Sequence, residues 1–366
     1  MAQFCVFCGN KPEGKNAEHV LPQWLMAMTG KKSRPCYMGN ILPNGRETIA
    51  FQALKFPACE ECNSQYSTME AQCKTILTNI INGGSATAPE LSLLLDWFDK
   101  VRIGLWLGDL YLSKTVEKFD PHMHIASRVG LKDRMLIIER TDPSEEYKTR
   151  LSFIGPGTVG FRHSPSTFQL LVNDYTFTSV SEYGLVARRV GFPYCDRMIF
   201  MDLTDIRPNT VNRGNGRMNT PVVRCFEPTS TQTVLYQPMY RGFNQVSPEP
   251  YNAKYVLEHS LDTENGVGGI FYQKAGRPTA YLSPDDKLVV APRVTHGQDV
   301  CDMAVKNYQL HNYIIDNTYT TKFATPQVQK EREITRKYIT ESNNKAIEVL
   351  RHYKDWDLPG TAGNSR

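Results

Sequence analysis

Three short stretches decide how the chain begins: Cys5-Val-Phe-Cys8, then Glu18-His19-Val-Leu-Pro-Gln-Trp-Leu25, then Cys59-Glu-Glu-Cys62-Asn63. The first and third are C-x-x-C turns, in which two thiolates converge on one point. Two such turns complete a tetrahedral shell of sulfur around zinc, at about 2.3 Å per bond. The remaining cysteines, Cys36, Cys73, Cys195, Cys225 and Cys301, are scattered singly, and the total of 9 is odd. That speaks against a disulfide framework and for free thiols in a reducing compartment. A structural Zn2+ on Cys5, Cys8, Cys59 and Cys62 is therefore expected, with the cytoplasm as location. The plainer alternative is four ordinary core cysteines. Zinc also answers a folding problem: residues 1–80 are polar and proline-bearing, with few long apolar runs, so a metal supplies free energy that a small core cannot.

Between the turns the order is an acidic residue beside a histidine (Glu18-His19), a proline three residues past it (Pro22), then Trp24 and Leu25, and finally Asn63 directly after the last cysteine. Together these elements resemble the HNH endonuclease group of His-metal finger nucleases over about residues 1–80. The resemblance implies a ββα-metal fold and hydrolysis of phosphodiester bonds. It implies His19 as general base, and Glu18 and Asn63 as ligands of a catalytic Mg2+ or Mn2+. It implies nucleic acid as partner, with DNA favoured because the family mostly cuts DNA. Many members also carry a middle asparagine about five residues before the second turn, where it fixes the loop bearing the histidine. Leu54 stands there in this chain, and the nearest amide is Gln52, with Asn40 and Asn44 further back.

The chemistry is sound apart from the name. Hydrolysis of a phosphodiester needs an activated water, and a neutral imidazole can take its proton near pH 7. A divalent cation can neutralise the phosphate and hold the leaving oxygen, and carboxylate and amide oxygens suit a hard ion. Neighbours on a strand point to opposite faces, so Glu18 and His19 serve one site only at an irregular strand end. Plainer readings stand beside these: Glu18-His19 as surface polarity, Asn63 as the cap of the helix that follows, and Glu70, two turns on, as a structural or solvated carboxylate.

At 366 residues the chain exceeds the usual size of one core. Its 40% apolar and 22% charged residues exclude disordered and collagen-like classes. A net charge of +4 and a pI near 8.5 permit contact with nucleic acid without arguing for it. The longest apolar stretch, residues 91–112, is interrupted by Asp96, Asp99, Lys100, Arg102 and Asp109. A membrane span needs about 20 mostly apolar residues, so a soluble helix is expected there. The N-terminus lacks the basic start and apolar run of a secretory signal.

The expected class is α+β: a zinc-stapled nuclease domain at 1–82, a linker and connecting helix at 83–120, and a larger mixed α/β or mostly-β domain with C-terminal helices at 121–366. The connecting helix is predicted over about 89–115. Strands are predicted at 135–140, 150–155, 168–180, 184–190, 197–203, 269–274 and 287–292, where β-branched and aromatic runs are bounded by breakers. The tail at 297–356 reads as helical. The large region has no P-loop, no G-x-S-x-G and no zincin helix. His122 and His124 could share a strand face as metal ligands, though such pairs are usually surface residues. Arg207, Arg213, Arg217 and Arg224 lie among Asn and Gly in a loop that could grip a phosphate backbone, with Arg213 and Arg217 as the candidate contacts. The region is expected to recognise a substrate or a regulatory partner, as in bacterial or phage-related defence effectors, and homo-oligomerisation is compatible with it. Two other functions compete: an inactive zinc-ribbon module that binds nucleic acid, and a structural or assembly protein.

Overall fold

The computed structural model describes residues 4–14, 16–39, 46–112, 124–142, 149–182, 197–201, 208–212, 229–239, 258–318 and 325–352. Helices and strands are interspersed along the chain, giving an α+β fold with a cysteine cluster near the N-terminus.

The N-terminal unit is built on two short antiparallel strands, Ala17–His19 (β1) and Lys55–Pro57 (β4), with Glu18 opposite Phe56 and His19 opposite Lys55. Between them lie a short helix, Gln23–Met28 (α1), and a hairpin of Pro35–Gly39 (β2) with Arg46–Ala50 (β3). The second C-x-x-C turn starts the helix Glu60–Ile81 (α2). Glu60 and Glu61 occupy its first turn, where carboxylates complement the positive end of the helix dipole. Cys73, Ile76, Leu77 and Ile80 recur at helical spacing and form its buried face.

The breaker-rich segment after α2 is a short strand, Ser85–Thr87 (β5), which leads into the helix Ala88–Leu112 (α3). A capping box starts α3: the Thr87 amide and hydroxyl bond Glu90 Oε2 at 2.7 and 3.0 Å. Every residue from Trp97 to Asp109 is buried, so α3 lies between two layers and not against one. The charges within it are paired inside the protein. Asp99 meets Arg102 at 2.7 Å, Asp109 meets Arg162 at 2.7 Å, and Asp96 pairs with Arg134. Lys100, Gly104 and Gly108, each four residues apart, share one face. A Cβ at Gly104 would lie 3.1 Å from Val20, and one at Gly108 3.2 Å from the Phe56 ring. The glycines thus let the β1–β4 pair approach α3 closely.

The other side of α3 packs on a mainly antiparallel sheet. Its strands include Asp133–Thr141 (β6), Leu151–Ile154 (β7), Thr167–Val172 (β8) and Tyr175–Glu182 (β9), with the short helix Val159–His163 (α4) after β7. A separate hairpin joins Arg197–Met201 (β10) to Pro208–Asn212 (β11). Part of the segment read as an arginine-bearing loop is therefore a strand; Arg207, Arg213, Arg217 and Arg224 lie outside the described residues. The sheet continues with Thr233–Gln237 (β12). After a small pair, Ser260–Asp262 (β13) with Val267–Gly268 (β14), it is completed by Ile270–Lys274 (β15) and Ala280–Leu282 (β16). The order is β16-β15-β12-β6-β9-β8-β7. Lys287–Val289 (β17) pairs with β5, and Val294–Thr295 (β18) runs parallel to the end of β6.

Alternation sorts the strand side chains. Leu136, Ile138, Phe168, Tyr175, Phe177 and Leu235 join the core containing α3, whereas Met135, Ile137, Val180, Val234 and Tyr236 face Leu310 and Ile314 of the helix Val300–Thr318 (α5). The last described helix, Pro326–His352 (α6), covers α5 and α4. His311 of α5 is buried there, its Nδ1 3.2 Å from Asn343 Nδ2. Burial lowers its pKa to about 4, against the raising effects of the Ser164 backbone and Glu182.

The apolar run of the connecting helix reads as a buried face docking the N-terminal part to the rest, and the core has that form: it runs from Cys5, Phe7 and Leu25 through Trp97 and Phe98 to Phe168 and Phe177. Among the described residues, no helix is long and apolar enough to cross a membrane.

Candidate metal centre and the histidine beside it

The sulfurs of Cys5, Cys8, Cys59 and Cys62 all lie within 4.8 Å of one another, and Cys8 Sγ is 3.8 Å from Cys59 Sγ. A tetrahedron with bonds of about 2.3 Å has edges of about 3.8 Å, so the donor set fits zinc in kind and in size. Local bonds shape the first turn: Cys5 N donates to Asn10 O and Gly9 N to Cys5 O, at 2.8 and 2.9 Å. Gly9 has φ +80°, and the His124 ring occupies the space where a Cβ would stand. This is the placement of His124, against the first turn; His122 lies outside the described residues. Val6 N bonds Pro57 O, and Phe7 stacks on Tyr66 of α2 with centroids 4.0 Å apart, which brings the two turns together.

The thiols are tuned unevenly. Burial opposes ionisation of Cys5, but backbone hydrogen bonds at Cys59, Cys8 and Phe7 outweigh it and bring the thiol to about 7. Burial and the neighbouring sulfurs push Cys62 up. A bound cation would relieve the cost of holding four thiolates so close. Among the described residues, these cysteines are the one cluster of His, Cys, Asp or Glu side chains placed to hold a metal ion.

His19 closes β1 and is partly buried. Burial lowers its pKa, the charges of Lys55, Lys100 and Lys32 lower it further, and Glu18 opposes them. The imidazole is accordingly neutral at pH 7, the form that accepts a proton. Its main chain is fixed from both sides: Val20 N donates to Leu54 O at 3.1 Å, and Lys100 Nζ donates to His19 O at 3.2 Å.

Glu18 departs from its expected place. The strand turns it inward, away from His19, and Lys100 Nζ lies 2.6 Å from its Oε1 and 2.5 Å from Glu70 Oε1. Lys100 is 1% exposed. Burial raises the pKa of Glu70, with Lys100 opposing. The Lys100 ammonium occupies the place beside the Glu18 and Glu70 carboxylates that a catalytic cation would need, so these side chains, as arranged, do not fit Mg2+ or Mn2+. Asn63 is not the cap of α2, a position held by Cys59; it lies inside the first turn, its N–H on Cys59 O at 3.0 Å. Gln52 is exposed and Leu54 buried; Asn40 and Asn44 lie outside the described residues.

Comparison with models of protein families, with curated proteins and with solved structures finds no match to this chain. The functional reading therefore rests on the site. Sequence reasoning missed Lys100, Lys55 and Lys32. Lys55 becomes visible only with the β1–β4 register, which sets it opposite His19.

Proposed function

We propose that the N-terminal unit is an HNH-type nuclease unit that hydrolyses phosphodiester bonds in nucleic acid, without Glu18 as a metal ligand and with DNA as the favoured substrate. The observation that carries the reading is a partly exposed His19 at the end of β1, set opposite Lys55, its pKa lowered by burial and by nearby lysine charge, in the unit that carries the four-cysteine cluster. The order of strand, strand and helix (β1, β4, α2) supports it. His19 takes the proton of the attacking water as its oxygen bonds phosphorus; the bond to the leaving oxygen breaks, and that oxygen is protonated from solvent. Lys55 and Lys32 supply positive charge for the phosphate. The sheet and its helices act as a recognition or regulatory part, as in defence effectors. Incubation of the purified chain with DNA and RNA in Mg2+ or Mn2+, beside His19→Ala, tests this: cutting by the native chain and not by the variant is the expected result.

The inward Glu18 favours a second reading, a zinc-ribbon module that binds nucleic acid without cutting it. Binding by both proteins with cutting by neither would select that reading.

A further inference from the structure

Lys100 is a buried cation on the central helix, and its three bonds all concern the strand that ends in His19 or the helix beside it. Two go to the Glu18 and Glu70 carboxylates, at 2.6 and 2.5 Å. The third goes to the main-chain oxygen of His19 itself, at 3.2 Å. The stripe formed with Gly104 and Gly108 brings α3 close enough to Val20 and Phe56 for a lysine to reach that oxygen. The resemblance assigns the fixing of the histidine loop to a middle asparagine, and here Leu54 stands at its position, buried, offering only its carbonyl to Val20 N. The task of that asparagine is thus without a side chain from the usual place.

We infer that Lys100 performs it: Lys100 is a positioning residue that anchors the His19 carbonyl from α3, and Glu18 and Glu70 are its counter-charges and not ligands of a catalytic cation. The inference rests on the reading of His19 as base. It assigns each group one job. One ammonium between two carboxylates pairs the buried Lys100 with the buried Glu18 and the partly buried Glu70, and a buried charge persists only when paired and hydrogen-bonded in this way. The anchor comes from the helix that also covers the sheet, so the position of the base is set by the body of the protein and not by the zinc loop alone.

The test uses the full-length, zinc-loaded chain labelled with 13C and 15N histidine, with His19 signals assigned through His19→Ala. In Lys100→Met, the His19 carbonyl and imidazole signals shift or broaden while those of His311 stay in place. Zinc stoichiometry is retained, and kcat for DNA cleavage falls by about 10²-fold, as expected for a displaced reacting group, with KM little changed. If the single variant fails to fold because two carboxylates lose their partner, the triple variant Lys100→Met, Glu18→Gln, Glu70→Gln leaves no unpaired charge and still lacks the anchor. It gives the same His19 signature. Unaltered His19 signals in either folded variant overturn the inference. So does a Glu18→Gln protein in which the anchor signals persist while the metal concentration needed for cleavage rises steeply, because Glu18 is then a ligand. A native chain that cuts neither DNA nor RNA sinks the nuclease reading, and the histidine signals then decide the anchoring by themselves.

Discussion

The N-terminal unit and the sheet body reach order by different routes. In the unit before α3, the β1–β4 pair is only three residues long on each side, α1 is six residues, and the cysteine cluster joins residues more than 50 positions apart. Its buried apolar side chains, such as Phe7, Leu25, Phe56 and Leu77, join the core shared with α3, and the four cysteine sulfurs are placed to add a metal staple. In the sheet body, β8 and β9 are buried along their whole length, with α3 on one face and α5 on the other. Packing, with buried ion pairs and hydrogen bonds, holds that part. The difference teaches that short elements far apart in sequence can be tied by a cysteine cluster able to hold a metal, while long strands are tied by their own packing.

The strongest way to break this contrast is to remove the metal. Structural zinc is worth on the order of 10 kcal/mol in small domains. Cys59→Ser, or a strong chelator, should abolish amide protection in α1, β4 and the first turns of α2 while β6, β8 and β9 keep theirs; hydrogen exchange reads both regions at once. Equal loss in the two would show that they unfold as one. Next in size is His19→Ala, which should lower cleavage by about 10²–10⁴-fold with zinc content and melting temperature retained, because the residue moves a proton and holds no structure.

Acid should discriminate in the opposite sense. His311 has a folded pKa of about 4 against about 6.5 when unfolded, so the unfolded state takes up a proton first as pH falls. Its contribution is complete above about pH 6.5 and is lost between there and about pH 4, on the order of 3 kcal/mol. Urea titrations at pH 7.5 and 4.5 on native protein and His311→Gln measure it; the variant should show a smaller difference between the two pH values. The smallest effect is expected from Lys55→Gln. It should weaken DNA binding modestly and flatten its salt dependence by about one unit of slope, the signature of one lost phosphate contact. An unchanged slope would move the substrate path away from β4.

Local patterns were legible and distant partnerships were not. The C-x-x-C turns reveal themselves because both ligands of each turn lie within four residues. The runs at 135–140, 150–155 and 168–180 all became strands of the sheet, and the helix predicted at 89–115 is helical as far as the described residues reach, to Leu112. Thr233–Gln237, which pairs with both β6 and β15 near the middle of the sheet, went unread because a short buried strand shows no alternation to mark it. The charges of α3 gave no sign of their partners. Asp96, Asp99, Lys100, Arg102 and Asp109 read in the sequence only as interruptions of an apolar run. Asp99 and Arg102 pair within the helix, but Arg134, Glu18, Glu70 and Arg162, the partners of Asp96, Lys100 and Asp109, come from other elements, and nothing within the helix announces them. Glu18 was misplaced for the same reason: adjacency to His19 is a fact of sequence, whereas Lys100 is a neighbour only in space.

The helix α3 also constrains how such a protein can evolve by exchange of parts. Its Lys100 and glycine stripe belong to the histidine-bearing unit, while Phe98 and the Asp96–Arg134 pair belong to the sheet. A recombination point after the second C-x-x-C helix would transplant the zinc site without the anchor for its histidine; a point after α3 would carry the anchor and leave an aromatic face uncovered. The inheritable module is thus the zinc unit together with α3 and a sheet surface able to receive it. Relatives that keep the cysteines but exchange the sheet should also have rebuilt the positions around Lys100.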